Sequence, residues 1–256
     1  MTEPNTKFKR GDTVFVPSEL LPDGANYPYA MYETEVMQAK GQDDRRRSIR
    51  VRLRGGQTSD WIASSRAITD PSTLLLTIGD YSATGTTEDS LLEPIAKSAL
   101  QFLRLLLPPD MIFKRAVRST DELRVLWARE AGIFHNVVLV GHGANDGVLF
   151  GVDGLTTAEE LAGALGSSVS GRTFVSLCCR TGRADFAREF SASSVCGELI
   201  APYHSVHGAV ASQFLQTLLV CRLFQGNSAK VSFRKASESI PSGHRFRRWV
   251  NGKQVT

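Results

Sequence analysis

Two short polar stretches in the second half of the chain contain the residue types that a covalent hydrolase needs. His142 lies in a Gly-His-Gly stretch after the apolar run 138–140, and Cys179 lies in a Cys-Cys-Arg-Thr-Gly stretch after the apolar run 174–177. A cysteine thiolate is a strong nucleophile, and a neighbouring histidine can take and return its proton. If both runs are parallel neighbouring strands, the two side chains lie at the same edge of a sheet. The pattern therefore predicts a Cys–His catalytic pair.

The glycines around these residues favour a functional interpretation over a purely structural one. Taken alone, His142 is typical of a polar loop residue, and two cysteines beside an apolar run are typical of a core. Glycines flank His142 on both sides, and Gly182 follows Cys179. Glycine allows backbone to approach a neighbour closely, so two such strand ends together favour a site.

The elements that must position this pair alternate between strand and helix after residue 70, which predicts βαβ units. We expect an α/β fold, a parallel sheet flanked by helices, with the chemistry at the carboxyl ends of its strands. The predicted strands are 74–78, 111–117, 137–140, 173–178 and 199–203, with a possible edge strand at 246–250. The predicted helices are 90–107, one beginning near Thr120, 156–165, 208–223 and 228–239. The small, polar stretch 191–196 is interpreted as a surface loop near the site and a candidate activation loop.

The first part of the chain has a different pattern. Short strand signals at 13–16, 32–39, 49–54 and 61–62 predict a small all-β barrel. We therefore predict two domains, a barrel over 1–69 and an α/β domain over 70–256.

The two strand-end motifs resemble those of the caspase–hemoglobinase fold of cysteine proteases, and within it the bacterial CHAT-domain proteases. In the latter a strand ends in Ala-Cys-x-Thr-Gly, and here residues 178–182 read Cys-Cys-Arg-Thr-Gly. The hairpin predicted over 147–153 and the strand and helix start over 198–209 also fit, so the resemblance covers residues 72–249. One departure is His207-Gly208, where CHAT domains often have an acidic pair.

The resemblance implies an activity and roles for residues. Cys179 is the implied nucleophile of a cysteine endopeptidase, acting through a thioester, and His142 the implied acid–base. The N–H groups of Gly143 and Cys179 are implied to stabilise the oxyanion. The family implies a pocket for the residue before the scissile bond. Among its charged candidates, acidic Asp80, Asp146 and Asp153 would select Arg or Lys, whereas Arg180 with Arg183 would select an acidic residue; an exposed loop charge is the alternative for each.

The first 69 residues resemble Tudor-like and chromo-barrel modules. The resemblance rests on Gly11-Asp12-x-Val14, Tyr32-Glu33-x-x-Val36 and Asp60-Trp61-Ile62-x-x-Ser65-Arg66. Such barrels often bind peptides or modified side chains in aromatic cages. The candidate aromatic residues are Tyr27, Tyr29, Tyr32 and Trp61, and filling a small core is the alternative for them.

Composition sets limits on the other function classes. The 256 residues are 42% hydrophobic with a net charge of +4, which is ordinary for a soluble protein. No apolar run has the length of a membrane span, the first twelve residues lack the apolar stretch of a signal peptide, and the cysteine spacing suggests no metal site. We expect a cytoplasmic protein without a cofactor, a metal, a membrane or a nucleic-acid partner. The alternatives are a catalytically silent caspase-like binding module and a nucleic-acid binder using arginines within 45–54.

The expected partner is a protein or peptide substrate. Small proteases of the family often serve bacterial antiviral defence or programmed death and act on a dedicated neighbour, such as a gasdermin-like protein. The resemblance therefore implies a specific protein substrate, without indicating its sequence, its activator or the oligomeric state of the protease.

Overall fold

The computed structural model of the protein describes residues 8–22, 24–41, 47–79, 92–166 and 171–255. The strands are β1 (Thr13–Pro17), β2 (Met31–Lys40), β3 (Ser48–Val51), β4 (Ile62–Ala63), β5 (Thr73–Ile78), β6 (Ile112–Val117), β7 (Asn136–Val140), β8 (His142–Gly143), β9 (Gly147–Phe150), β10 (Gly154–Thr157), β11 (Arg172–Ser176), β12 (Cys196–Pro202), β13 (Phe246–Val250) and β14 (Lys253–Val255). The α-helices are α1 (Glu93–Leu106), α2 (Thr120–Glu130), α3 (Ala158–Leu165), α4 (Ala184–Ala192), α5 (Gly208–Leu219) and α6 (Ala229–Ser239). A π-helical turn, Val220–Phe224, follows α5, and single 3-10 turns occupy Ser18–Leu20, Gly24–Asn26, Ser64–Arg66, Pro109–Met111, Ala131–Ile133 and Gly243–Arg245.

A seven-stranded mixed sheet forms the centre of the larger region, in the order β14-β13-β12-β11-β7-β5-β6. Five neighbouring strands of this sheet are parallel, as predicted: β6, β5, β7, β11 and β12. β13 and β14 extend the sheet as an antiparallel hairpin. The strand predicted at 246–250 is therefore confirmed, but its expected position at the edge of the sheet is wrong. Asn251 and Gly252 have φ angles of 49° and 72°, which suit a two-residue turn, so the chain folds back and β14 covers the edge of β13.

Both faces of this sheet are buried, because parallel strands with helices on both sides must be apolar on both sides. Along β5, Leu74 and Leu76 belong to one hydrophobic cluster and Leu75 to the other. The first cluster is completed by residues of α2, α3 and α4, including Leu123, Trp127, Leu161, Phe186 and Phe190. The second is completed by residues of α1, α5 and α6, including Ala96, Leu103, Phe214, Leu218 and Phe233. The result is the expected α/β fold, a sheet between two layers of helices.

The strand order changes direction between β5 and β7. From β5 the chain moves outward to β6, whereas β7, β11 and β12 are added on the other side. Ligands of open α/β sheets bind at the carboxyl ends of the strands, near such a change of direction. The segments after β5, β7 and β11 meet there.

The first strands form a separate four-stranded antiparallel sheet, in the order β1-β2-β3-β4. After β4 the chain returns to β1 through a bridge between Ile68 and Phe15. The strands thus match those predicted from the sequence. The sheet has its own hydrophobic cluster, formed by Phe8, Val14, Val16, Leu21, Val36, Ile49, Val51 and Ile62.

Strand β1 has buried side chains on both of its faces. Val14 and Val16 belong to the cluster of the small sheet, whereas Phe15 belongs to the cluster beneath α1, α5 and α6, together with Ala30 and Met31. The small sheet is therefore packed on the larger region through apolar contacts. The division into domains 1–69 and 70–256 stays a prediction.

Apart from α4, which is not among the predicted helices, the helices differ from the predictions at their ends. Helix α3 begins at Ala158, because the Thr157 side chain and Glu160 form a capping box. The chain before it is strand β10, so the hairpin predicted over 147–153 is longer. Helix α1 is described from Glu93; residues 90–91 of its predicted span lie outside the described residues.

The expectation of a loop at 191–196 near the site is wrong. Ser191 is buried at the end of α4 and Cys196 begins β12. This segment lies at the amino ends of the strands, opposite the predicted site. The amphipathic pattern of α4, which buries Phe186 and Phe190, is the signal that identifies the helix.

Candidate active site

The turn after β11 separates the two adjacent cysteines into different environments. Cys178 is fully buried, whereas Cys179 is partly accessible. The Cys179 Sγ lies 3.8 Å from the carbonyl oxygen of Val206, just before α5. The thiol of Cys179 is therefore held at the carboxyl edge of the sheet, where the sequence places it.

Three buried hydroxyl and amide contacts fix the conformation of this turn. The Thr181 hydroxyl donates to the carbonyl oxygen of Cys178 at 2.8 Å and lies 2.8 Å from the Ser176 hydroxyl. The amide of Cys178 donates to Ser176 Oγ at 3.2 Å. Both hydroxyl side chains are 0% exposed. The threonine of the Cys-x-Thr-Gly motif thus stabilises the turn through its hydrogen bonds. Its partner Ser176 was not predicted from the sequence.

Two further backbone features shape the turn. Arg180 has a φ of 66°, a left-handed conformation that costs a non-glycine residue about 1–2 kcal/mol. Gly182 lies against the end of β12, where an added Cβ would come within 2.4 Å of the Ala201 carbonyl oxygen. Its amide donates to the carbonyl oxygen of Pro202 at 2.9 Å. A side chain at position 182 would therefore push the turn away from the sheet.

The histidine segment lies directly on the cysteine turn. His142 and Gly143 form β8, which pairs with β9 such that His142 is opposite Leu149. A Cβ built on Gly143 would lie 2.5 Å from the Cys179 carbonyl oxygen and 3.0 Å from Thr181 Cγ2. Only a glycine permits this approach, so the structure brings the backbones of the two predicted motifs into contact.

A second glycine places the histidine segment against the neighbouring strand. A Cβ on Gly141 would lie 2.8 Å from the carbonyl oxygen of Ile78 and 3.4 Å from Cys178 Sγ. The carboxyl ends of β5, β7 and β11 are therefore packed together through glycines. His142, which is partly accessible, is the next residue after Gly141 and is therefore held at this edge of the sheet.

Burial suppresses the reactivity of three of the four thiols. Burial raises the pKa of the Cys178 thiol to about 12, and burial also raises the pKa of Cys196 and of Cys221. The thiolate is the reactive form of cysteine, so these three thiols are suppressed as nucleophiles at neutral pH. All four cysteines are free.

A pocket of about 570 Å³ opens beside the cysteine turn. Its lining includes four arginines, two histidines, a tyrosine and a serine: Arg180, Arg183, Arg245, Arg247, His204, His244, Tyr203 and Ser205. Two lining residues connect the pocket to Cys179: Arg180 follows it in the chain, and Ser205 precedes Val206, whose carbonyl oxygen lies 3.8 Å from the Cys179 thiol. It is strongly positive, and none of the described residues that line it is acidic.

The predicted acidic pocket residues are not found in this pocket. Asp146 is exposed in the turn between β8 and β9. Asp153 accepts a hydrogen bond from the Thr120 amide, the first amide of α2, at 2.6 Å. Asp80 lies outside the described residues. Of the charged candidates, Arg180 and Arg183 are the ones that the structure places beside Cys179, and Arg245 and Arg247 join them from a part of the sequence that gave no signal of proximity.

The aromatic residues predicted for the small sheet are distributed over two places. Tyr27 and Tyr32 contact each other edge to face, with ring centroids 4.7 Å apart. Trp61 is 40% exposed and lies under Lys40, whose Nζ is 3.9 Å from the ring centroid. The tryptophan thus already contacts a cation of its own chain. Likewise, Arg52 of the predicted arginine cluster pairs with Glu35 at 2.8 Å.

Two properties of the described residues concern other function classes. Their histidine, cysteine, aspartate and glutamate side chains form no group of three or more that could hold a metal ion. Among the helices of the described segments, none is long and apolar enough to cross a membrane.

Comparison with known proteins gives distant structural likenesses. No protein-family profile matches the sequence, and no curated protein is similar to it at a significant level. A secreted C11 cysteine protease from Bacteroides thetaiotaomicron, solved in complex with an irreversible peptide inhibitor, is 12% identical with a TM-score of 0.47; the match covers 70% of this chain and 66% of that one. An inactive zymogen C11 protease from Parabacteroides distasonis is 14% identical with a TM-score of 0.47, over 72% and 63% of the two chains. The match thus spans less than two thirds of each protease, and by itself it says nothing about the reaction of this protein.

Proposed function

We propose that the protein is a cysteine endopeptidase in which Cys179 attacks a peptide carbonyl and His142 moves the proton. The observation that carries the proposal is the contact of the two strand-end motifs, where Gly143 approaches the Cys179 carbonyl so closely that a methyl group would not fit. A nucleophile and its base must lie within reach of each other. The exposure of Cys179 beside the buried Cys178 supports the choice of nucleophile.

The proposed reaction proceeds through a thioester. The Cys179 thiolate adds to the carbonyl carbon, and the oxyanion accepts hydrogen bonds from the Gly143 and Cys179 amides. His142, having taken the thiol proton, protonates the leaving amine as the C–N bond breaks. Water then attacks the thioester, and the thiol is restored. No metal or cofactor is required for any of these steps.

The test of this proposal is a pair of adjacent substitutions. Cys179→Ala is expected to reduce peptide cleavage at least about 1,000-fold, because the covalent route is lost. Cys178→Ala is the matched control, and it is expected to retain most of the activity with a lower melting temperature, since it leaves a small cavity. Cleavage is measured on a fluorogenic peptide library, and circular dichroism confirms folding. Equal loss in two folded variants would contradict the assignment.

We also propose a biological setting for this activity. The Cys-x-Thr-Gly motif is the basis for relating the chain to CHAT-domain proteases, and with them to a cytoplasmic role in bacterial defence or cell death. The small sheet, as a Tudor-like module, would then dock a dedicated substrate protein, such as a gasdermin-like neighbour. Co-expression with the products of neighbouring genes, followed by mass spectrometry for a new terminus that requires Cys179, tests this setting; no new terminus on any neighbour would contradict it.

A further inference from the structure

The pocket beside Cys179 concentrates positive charge that no carboxylate of the described residues neutralises. Four guanidinium groups line it, and none of them forms an ion pair with a carboxylate of the described residues. The neighbouring Arg248 shows the contrast, because it is paired with Glu198. Like charges repel at short range unless an opposite charge lies between them. A bound anion would therefore offset the repulsion among the four guanidinium groups.

The side chains of the pocket are held in place by neutral partners. The guanidinium groups of Arg183 and Arg247 lie 5.1 and 5.2 Å from the centre of the Tyr203 ring. Arg183 also donates to the Asn145 side chain at 3.0 Å. These contacts orient the groups without cancelling their charge, so the cost of ordering them is met before any ligand arrives.

Two more arginines of the pocket are held by Ser205. Arg180 Nε donates to the Ser205 hydroxyl at 3.2 Å, and Arg245 donates to the Ser205 carbonyl oxygen at 3.3 Å. Each guanidinium has five N–H donors, so most of the donors of Arg180 and Arg245 remain available. Ser205 precedes Val206, whose carbonyl oxygen contacts the Cys179 thiol. Residues 205–206 therefore connect Arg180 and Arg245 to the Cys179 thiol.

We propose that this pocket binds a negatively charged side chain of the peptide substrate, next to the bond that Cys179 attacks. This proposal rests on the proposed function, because a bound peptide is a substrate only if the protein is a peptidase. Guanidinium groups match carboxylate and phosphate oxygens with paired hydrogen bonds. Aspartate, glutamate and phosphoserine share this chemistry. A peptide is favoured over a nucleic acid because the charge is gathered in one pocket and not along an extended surface.

The test separates binding from cleavage by using the full chain with Cys179→Ala. Fluorescence polarisation measures its affinity for matched labelled peptides that differ at one position: aspartate, glutamate, phosphoserine, asparagine or serine. The charged peptides are expected to bind about 10- to 100-fold more tightly than the neutral ones, the range for hydrogen bonds to charged groups. The ranking of carboxylate against phosphate identifies the natural anion. Equal affinity for charged and neutral peptides would overturn the proposal, as would tighter binding of a single-stranded RNA of equal length.

Pocket variants test which residues are responsible. Arg247→Gln and, separately, Arg245→Gln are expected to remove most of the preference for the charged peptide and to leave the neutral peptide unaffected. Arg234→Gln, at an exposed position of α6 outside the pocket, removes the same charge and is expected to preserve the preference. Equal weakening of charged and neutral peptides by either pocket variant, with folding intact, would contradict the role assigned to the pocket.

Cleavage of the same peptides by the unmodified protein then distinguishes the two proposals. Selective binding without any cleavage would leave the anion pocket standing and would contradict the peptidase function. Cleavage of neutral and charged peptides at equal rates would support the peptidase function and would contradict the anion pocket.

Discussion

Arginine and cysteine side chains lie at both ends of strand β11, in opposite environments. At the amino end, Arg172 is 1% exposed, and Cys196, which pairs with it at the start of β12, is 2% exposed. At the carboxyl end, Arg180 is exposed and Cys179 is partly accessible. Arginine and cysteine at the first end stabilise the fold, whereas at the second end they are free to contact another molecule. Residue type therefore does not identify a site; the environment at the strand end does.

The buried arginine illustrates how the amino end uses its charge. The Arg172 guanidinium lies 4.9 Å from the centre of the Trp127 ring, and it donates to the carbonyl oxygens of Phe134, at 3.1 Å, and of Ala131. Burial lowers the pKa of Arg172, yet an arginine remains charged at any pH at which the protein is folded. Its role is to satisfy two carbonyl oxygens behind α2 while it packs on an aromatic ring.

The largest effect is therefore expected at the amino end. Arg172→Met should destabilise the protein by about 3 kcal/mol, because two buried carbonyl oxygens lose their donors. Urea denaturation measures the change. Arg180→Asn is the control at the carboxyl end; asparagine tolerates a positive φ, and stability should change by less than about 1 kcal/mol. A larger loss for Arg180→Asn than for Arg172→Met would invert the comparison.

A smaller effect is expected from glycines at the two ends. A Cβ on Gly143 would meet the Cys179 carbonyl oxygen at 2.5 Å, and a Cβ on Gly197 would meet the Gly171 carbonyl oxygen at 2.7 Å. Both Gly143→Ala and Gly197→Ala should cost about 1–3 kcal/mol of stability, since backbone must move. Peptide cleavage, measured well below both melting temperatures, should fall about 100-fold only for Gly143→Ala, because a displacement of about 1 Å at a reacting centre has that effect. Equal activity of the two variants would mean that the contact of Gly143 with the cysteine turn has no catalytic consequence.

The sequence predicts the parallel strands and the meeting of their carboxyl ends, because apolar runs separated by helical patterns leave few topologies. The resemblance of residues 178–182 to the Cys-x-Thr-Gly motif also selects Cys179 over Cys178, and Cys179 is the partly accessible one of the two. What the sequence cannot predict is the approach of segments far apart in the chain. Arg245 and Arg247 reach the pocket only because β13 pairs antiparallel with β12.

Arg172, the buried charge at the amino end of β11, is the clearest case in which the usual expectation for a charged residue is wrong. A formal charge at a strand start is usually solvated, yet Arg172 is enclosed by Trp127 and by the chain around Phe134. Nothing in the local sequence distinguishes it from Arg180. The missed β14 is different, because the Asn-Gly pair at 251–252 is a hairpin signal that the sequence does contain.

The reaction of the folded protein with iodoacetamide tests the central claim most directly. Peptide mapping after brief labelling between pH 6 and 9 should find the label on Cys179. Cys178 should stay unlabelled over this range, because its pKa of about 12 keeps the buried thiol protonated. His142→Ala should slow labelling of Cys179 at least about tenfold if the imidazole supports the thiolate. Labelling of Cys179 that is as slow as that of Cys178, or that is unchanged by His142→Ala, would contradict the proposed catalytic pair.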